Sequence, residues 1–274
     1  MRVAVLTDIH SNAPALDAAL DAVGAFEQLW VLGDIVGYGP HPNEVVERLR
    51  ELEAVAVQGN HDAAVLGRIP TGTFNDLARA AVRWTADTMT AANLDWLAEQ
   101  PEMRVEGDFT LAHGSPRDPI WEYLFSVPAA RINLAAFETP YCIVGHTHHP
   151  LVFRDDDGQV EALFADDGYT LELDARRCIL NPGSVGQPRD GDPRDRAAGS
   201  PGGPAGARGL ADGRRTTREG RQRYRSRPGE RLVRGLQEPA AGTQDRRPSR
   251  AGRAATGRVL PLRGQGHARG PAQG

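Results

Sequence analysis

The chain has 274 residues, of which 40% are hydrophobic and 25% charged, the makeup of a globular protein with one large domain or two small ones. No stretch reaches the ~18–20 continuous apolar residues of a membrane span, and the first apolar run meets Asp8 too early for a secretory signal. Two cysteines, Cys142 and Cys178, exclude a disulfide framework or a Cys-rich zinc site, so the expected compartment is the reducing cytoplasm.

The formal charge of −4 divides unevenly along the chain. Residues 1–194 hold 14 arginines and 30 acidic residues, whereas residues 195–274 hold 18 arginines and 6 acidic residues. All 32 basic residues are arginine, a bias that points to GC-rich coding. Without lysine there is no phosphate-binding GxxxxGK[ST] loop and no Schiff-base chemistry. Gly183-Ser-Val-Gly186 does not match the G-x-S-x-G nucleophile elbow, and Gly37-Tyr-Gly39 lacks the third glycine of a dinucleotide fingerprint.

Arg2–Thr7 predicts a buried strand, and Asn12 caps a helix over Ala13–Val23 that Gly24 ends. Gln28–Leu32 is a second strand, Pro42–Glu51 a helix with Val45, Val46 and Leu49 on one face, and Ala54–Val57 a third strand. Residues 73–100 read as two helices broken near Thr90–Asn93. Strand alternating with helix predicts parallel strands and an α/β fold. Further on, Arg104–Glu106 and Phe109–Ala112 flank a Gly107-Asp108 turn, Pro128–Phe137 is helical, and Tyr141–Val144 is a strand. Leu151–Arg154, Glu161–Phe164, Thr170–Leu173 and Cys178–Leu180 read as a meander with turns at Asp157-Gly158 and Asp167-Gly168. The expected whole is two sheets packed together with helices outside.

Five polar clusters follow strands directly: Asp8-x-His10, Gly33-Asp34, Gly59-Asn60-His61-Asp62, His113-Gly114 and Gly145-His146-Thr147-His148. Ligands of open α/β sheets gather at the carboxyl ends of the strands, so these clusters are expected to converge on one sheet edge. Each alone has a plain reading. Asp34 could cap a helix, Asn60-His61-Asp62 could be a turn, and His113 could be a satisfied buried histidine. Five such clusters in sequence make a metal site the stronger reading. Two carboxylates, an amide oxygen and four imidazoles with no thiolate suit Mn, Fe, Zn, Ni or Co rather than Ca or Mg. Seven donors exceed one site, and two ions sharing a carboxylate is the economical arrangement. Such a pair clamps the attacking and leaving oxygens of a phosphoryl displacement and acidifies water between them.

These motifs, with Gly33-Asp-Ile-Val-Gly-Tyr-Gly-Pro40, His113-Gly-Ser-Pro-Arg117 and Asn181-Pro-Gly-Ser-Val-Gly-Gln-Pro-Arg189, resemble the calcineurin-like metallophosphoesterase superfamily, in its small bacterial and archaeal phosphodiesterase branch. The resemblance covers residues 1–194 and implies an α/β four-layer αββα sandwich of two mixed sheets. It implies that Asp8, His10 and His148 hold one divalent transition-metal ion, manganese by expectation. Asn60, His113 and His146 would hold the other, and Asp34 would bridge both. His61 would bind no metal and act as general acid or transition-state stabiliser. The family's phosphatases often pair that histidine with an aspartate shortly after the bridging one; here Ile35-Val36-Gly37-Tyr38 supplies none.

Asn12 and Arg117 are candidate substrate contacts, Asn12 first as a helix cap and Arg117 equally as a surface ion pair. Trp121 and Tyr123 read first as core residues and second as a wall for a nucleobase. Cys142 reads as a small core residue. The implied function is a phosphodiesterase on nucleotide-like or other small phosphate esters. Phosphomonoesterase, dinucleoside polyphosphate hydrolase and a non-catalytic scaffold on the same fold are the alternatives. No membrane partner is expected, and oligomerisation stays open. The tail from 195 to 274 has 16 glycines, 7 prolines and few large apolar residues, and is expected to be disordered. Its arginines are the one hint of nucleic-acid binding, weakened by a single aromatic, Tyr224, and no repeat. Where the resemblance implies further strands and a closing helix after Arg194, the abrupt change reads as an out-of-frame translation, with a natural basic extension as the alternative.

Overall fold

The computed structural model describes residues 2–165 and 169–189. The expected disordered tail and the Asp167-Gly168 turn lie outside these residues. The chain begins with β1 (Val3–Leu6), α1 (Ala13–Val23), β2 (Gln28–Leu32), α2 (Pro42–Glu51) and β3 (Val55–Val57). The three strands pair in parallel in the order β1-β2-β3, as strand–helix alternation requires. Next come α3 (Asn60–Val65), α4 (Asp76–Thr88) and α5 (Ala91–Glu99). Thr90 caps α5 by accepting from the Asn93 amide, which accounts for the helix break.

The second sheet contains β4 (Met103–Glu106), β5 (Phe109–Ala112), β6 (Tyr141–Ile143), β7 (Pro150–Asp156), β8 (Gln159–Phe164) and β9 (Cys178–Pro182), with α6 (Val127–Leu134) between β5 and β6. Its order is β4-β5-β6-β9-β7-β8, so the expected meander is not formed. β7 and β8 do make a hairpin, turned by Asp157 and Gly158 at φ 49° and 82°. β9 instead inserts between them and β6, parallel to β6 and antiparallel to β7, and every one of its residues is buried. Thr170–Leu173 is not a strand. Its alternation serves burial: Leu171 enters the core between the sheets, with Tyr169 and Leu173 packed against it.

Period-two alternation builds the layers. Ala4, Leu6, Leu29, Val31 and Ala56 face α1, α2, α4 and α5. Val5, Trp30, Leu32 and Val57 face the other way, against Leu111, Ile143, Val152 and Leu180 of the second sheet. The far side of that sheet, with Cys142, Leu151, Phe153 and Ile179, is covered by Ala130 and Leu134 of α6. The result is an αββα sandwich. One expectation changes with it: the polar clusters follow β1, β2 and β3 of one sheet and β5 and β6 of the other, so they meet across two packed sheets. Among the described residues no helix is long and apolar enough to cross a membrane.

Candidate metal centre

The loops after the strands are held in unusual backbone shapes. Asp8, His10, Asp34, His146 and His148 all have φ between 48° and 65°, a region that side chains other than glycine avoid. Such conformations cost of order 1 kcal/mol or more each and persist where the surroundings impose them. Gly33 and Gly59 let two of these loops touch: a Cβ on Gly33 would meet the backbone of Gly59 at 2.6 Å, and one on Gly59 would strike Asp34. The sequence Asn60-His61-Asp62 is not a plain turn but the first turn of α3. Asp62 is wholly buried, and its carboxylate accepts from the amides of Ile35, Val36 and Gly59 at 3.2, 3.0 and 2.9 Å. That single side chain ties the loop after β2 to the loop after β3. Burial, and then the neighbouring Asp34, push its carboxyl up to about 7.

All seven expected donors come together, each at most 5% exposed. One oxygen of each carboxylate is fixed by the protein. Asp8 Oδ2 accepts from Thr7 Oγ1 and the His146 amide, and Asp34 Oδ1 accepts from the His61 amide at 2.9 Å. The other oxygens face the imidazoles: Asp8 Oδ1 lies 3.2 Å from His148 Nε2, and Asp34 Oδ2 lies 3.6 Å from His10 Nε2 and 3.4 Å from His113 Nε2. Among the described residues Asp8 Oδ1 accepts no hydrogen bond. Further edges of the cluster are His10 Nε2–His148 Nε2 at 3.3 Å, His113 Nε2–His146 Nδ1 at 3.0 Å and His113 Nε2–Asn60 Oδ1 at 3.2 Å.

These donors fit two cations. Bonds of about 2.1 Å place adjacent donors about 3.0 Å apart in an octahedron and about 3.4 Å apart in a tetrahedron; five of the six separations lie in that range, and His10 Nε2–Asp34 Oδ2, at 3.6 Å, lies just beyond it. His113 Nδ1 is 2.8 Å from the Leu32 carbonyl and His148 Nδ1 is 2.6 Å from the Gln187 carbonyl. A proton on each Nδ1 leaves the Nε2 lone pair directed at the cluster, the usual outer support of a metal-binding histidine. Two groups can each hold an ion, Asp8/His10/Asp34/His148 and Asp34/His113/His146, and Asp34 belongs to both. Burial opposes charge on Asp34, yet the histidines around it, His113 first, hold its carboxyl well below the usual carboxylate range. Burial also opposes charge on His113, but Asp34 lifts that imidazole to about 9, while burial and the charge on His113 push His146 down to about 3.

His61 lies beside this cluster, its ring centroid 4.9 Å from that of His10, and burial lowers its pKa. Among the described residues its buried Nδ1 has no hydrogen-bond partner. Gly37 passes so close that a Cβ there would come within 2.6 Å of that nitrogen. Asn12 accepts from the Ala15 amide and donates to the Gly186 carbonyl, so both ends of its amide serve the fold. Arg117 pairs with Glu122 at 3.5 Å on the loop after β5. Neither contacts the donor cluster. Cys142 is fully buried, and burial pushes its thiol up, away from nucleophilic use.

Tyr123 is not a core residue. It is 46% exposed and its ring stacks on His146 with centroids 3.7 Å apart. Tyr38 lies 4.6 Å from His61, and the Arg189 guanidinium acts on the phenols of both Tyr38 and Tyr123. Arg189 and Tyr38 stand inside motifs read from the sequence, but nothing in their residue type marked them as neighbours of the cluster.

The model of the calcineurin-like phosphoesterase superfamily domain matches residues 1–199. An uncharacterized protein of Methanocaldococcus jannaschii is 38% identical over 196 residues, covering 69% of this chain and 78% of that protein. A protein of Thioalkalivibrio sulfidiphilus named bis(5'-nucleosyl)-tetraphosphatase, symmetrical, is 35% identical over 163 residues; the match covers 56% of this chain and 57% of that relative's length. Among solved structures, a metallophosphoesterase from Sphaerobacter thermophilus superposes with a TM-score of 0.64 at 47% identity, covering 70% of this chain and 80% of that one. A Pyrococcus horikoshii protein shares the fold at a TM-score of 0.55 and 21% identity, over 68% of this chain and 77% of that one. With a donor cluster that fits two cations and a family match over most of its length, the chain belongs to the calcineurin-like phosphoesterase superfamily.

Proposed function

We propose that this chain hydrolyses small, nucleotide-like phosphodiesters at a centre of two divalent transition-metal ions, manganese first among them, in the cytoplasm. The observation that carries this reading is Asp34 Oδ2, shared between two groups of buried donors. In this reading Asp8, His10 and His148 hold one ion, Asn60, His113 and His146 hold the other, and Asp34 lies between. Bound there, such ions polarise phosphoryl oxygens and acidify water.

The chain's own residues do the rest. The loops after β1, β2 and β3 fix the donors before substrate arrives, which lowers the reorganisation needed during reaction. His61 supplies the proton. With Nδ1 making no hydrogen bond among the described residues, Nε2–H is the ring's donor to the leaving oxygen: the imidazolium gives up that proton and returns to the neutral ring, whereas the neutral ring, which burial favours, stabilises the developing charge by hydrogen bonding alone. Arg189, whose guanidinium acts on the phenols of Tyr38 and Tyr123, is the chain's candidate for balancing charge on the bound phosphate through its planar fork.

A second reading, hydrolysis of dinucleoside polyphosphates, is favoured by the relative named as a tetraphosphatase. The test is metal-reconstituted activity against phosphomonoesters, cyclic nucleotides, phosphodiesters and dinucleoside tetraphosphates. Diesters hydrolysed fastest support the proposal, and a ranking led by tetraphosphates or monoesters replaces it with that activity. Silence under Mn, Fe, Co, Ni and Zn leaves a binding scaffold.

A further inference from the structure

Resting on the phosphoesterase reading above, we propose that Tyr123 and Phe125 form a seat for a planar ring borne next to the substrate's phosphate, so that aryl phosphates are favoured over alkyl ones. The segment Tyr123-Leu124-Phe125 runs outside any helix or strand and alternates. Leu124, 1% exposed, is buried in the core beneath α6, while Tyr123 and Phe125 stand 46% and 44% exposed. Their rings lie nearly parallel, 7° apart with centroids separated by 5.8 Å. Two half-bare aromatic rings held side by side lose the burial that normally recommends such side chains.

Their position argues for a ligand rather than chance exposure. The Tyr123 ring lies on the imidazole of His146, 24° from parallel, and Phe125 meets His149 edge-on at 5.7 Å. The seat therefore begins on a side chain of the donor cluster, where an aryl group esterified to the phosphate would arrive. The loop is braced from below. Ser115 Oγ donates to Glu122 at 2.6 Å, Asn133 of α6 donates to the same carboxylate at 3.0 Å, and the Gly114 amide donates to the Pro119 carbonyl at 2.6 Å. A rigid pair of rings presents stacking area with little ordering on binding. Trp121, packed edge-on against Phe74 at 5.4 Å, extends the aromatic wall toward His61.

Base–aromatic stacking of this kind is worth about 5- to 100-fold in affinity. The test uses ligands whose carbon–phosphorus bond cannot be hydrolysed, so that binding is read without turnover. Phenylphosphonate and methylphosphonate are titrated calorimetrically into the full, manganese-loaded chain. The wild type should bind phenylphosphonate roughly 5- to 100-fold tighter. In Tyr123→Leu/Phe125→Leu, compared at measured metal content, the ratio of phenylphosphonate to methylphosphonate affinity should fall to about twofold or less. Tyr123→Phe should keep it. Phe125→Leu alone, which leaves His146 its stacking partner, should show a partial loss and reports on the seat should the double variant fold poorly. Equal affinity for the two ligands in the wild type overturns the proposal, as does a ring advantage that survives both leucine variants. A ring advantage without hydrolysis of any ester leaves the seat standing and removes the proposed function; hydrolysis without ring preference does the reverse.

Discussion

Replacing Asp62 by alanine removes the acceptor of three buried backbone amides, those of Ile35, Val36 and Gly59. Each buried donor left without a partner costs about 1–3 kcal/mol, so even with water entering the gap the loss should be at least about 3 kcal/mol. In a body of this size that corresponds to a fall in Tm of about 6–12 °C. Asparagine tests the chemistry rather than the volume. Its carbonyl can serve only one side of the site, and its NH2 group then faces a backbone N–H on the other. Asp62→Asn should therefore cost about 1–3 kcal/mol despite being nearly isosteric. Because Asp62 joins the loops that carry Asp34 and Asn60, both variants should also bind metal more weakly. Thermal unfolding in chelator, followed by the same scan with manganese, separates the two effects. An alanine variant that unfolds within about 1 kcal/mol of wild type, or an asparagine variant indistinguishable from it, refutes the assignment of Asp62 as the tie between the loops.

His61→Ala should retain full metal content while kcat falls by roughly 10²–10⁴, and the loss should shrink for leaving groups of low pKa. Equal losses across leaving groups would move His61 from proton donor to charge stabiliser, and a lost ion would make it a ligand. Asn181 donates to the Gly145 carbonyl at 2.6 Å and to Thr147 Oγ1 at 3.0 Å, holding the loop that bears His146 and His148. Asn181→Leu should weaken metal binding by roughly 10- to 100-fold in a chelator competition, the usual effect of an outer-shell loss. Unchanged affinity would show that the loop needs no such tether.

Local features of the fold were legible where the determinants are local. Asn12 and Gly24 bound α1 as expected, and the bounds of β2 and α2 coincide with the predicted ones. The Asp157-Gly158 turn announces its hairpin because both positions need positive φ. The insertion of β9 between β6 and β7 was not legible, since it depends on pairings far apart in sequence that no short pattern encodes. α3 was missed for a related reason. Asn60-His61-Asp62 has turn composition, and only the amides of Ile35 and Val36, brought in by the neighbouring loop, reveal that Asp62 is an acceptor. That these seven residues gather in one place could be read because carboxylates and imidazoles directly after apolar strands are unusual. Tyr38 and Arg189 escaped, and Tyr123 was read first as core and only second as a wall beside the site, because an aromatic ring or an arginine has many ordinary places to be, and their proximity to the cluster is a property of the folded loops.

In the proposed site Asp34 holds two ions together. Metal content by mass spectrometry, after equilibrium dialysis of the full chain against manganese, tests it most directly. The wild type should carry two ions per chain, and Asp34→Asn should carry one or fewer and lose activity. A wild type that saturates at a single ion, or an Asp34→Asn variant that keeps two tightly bound ions and normal turnover, would contradict it.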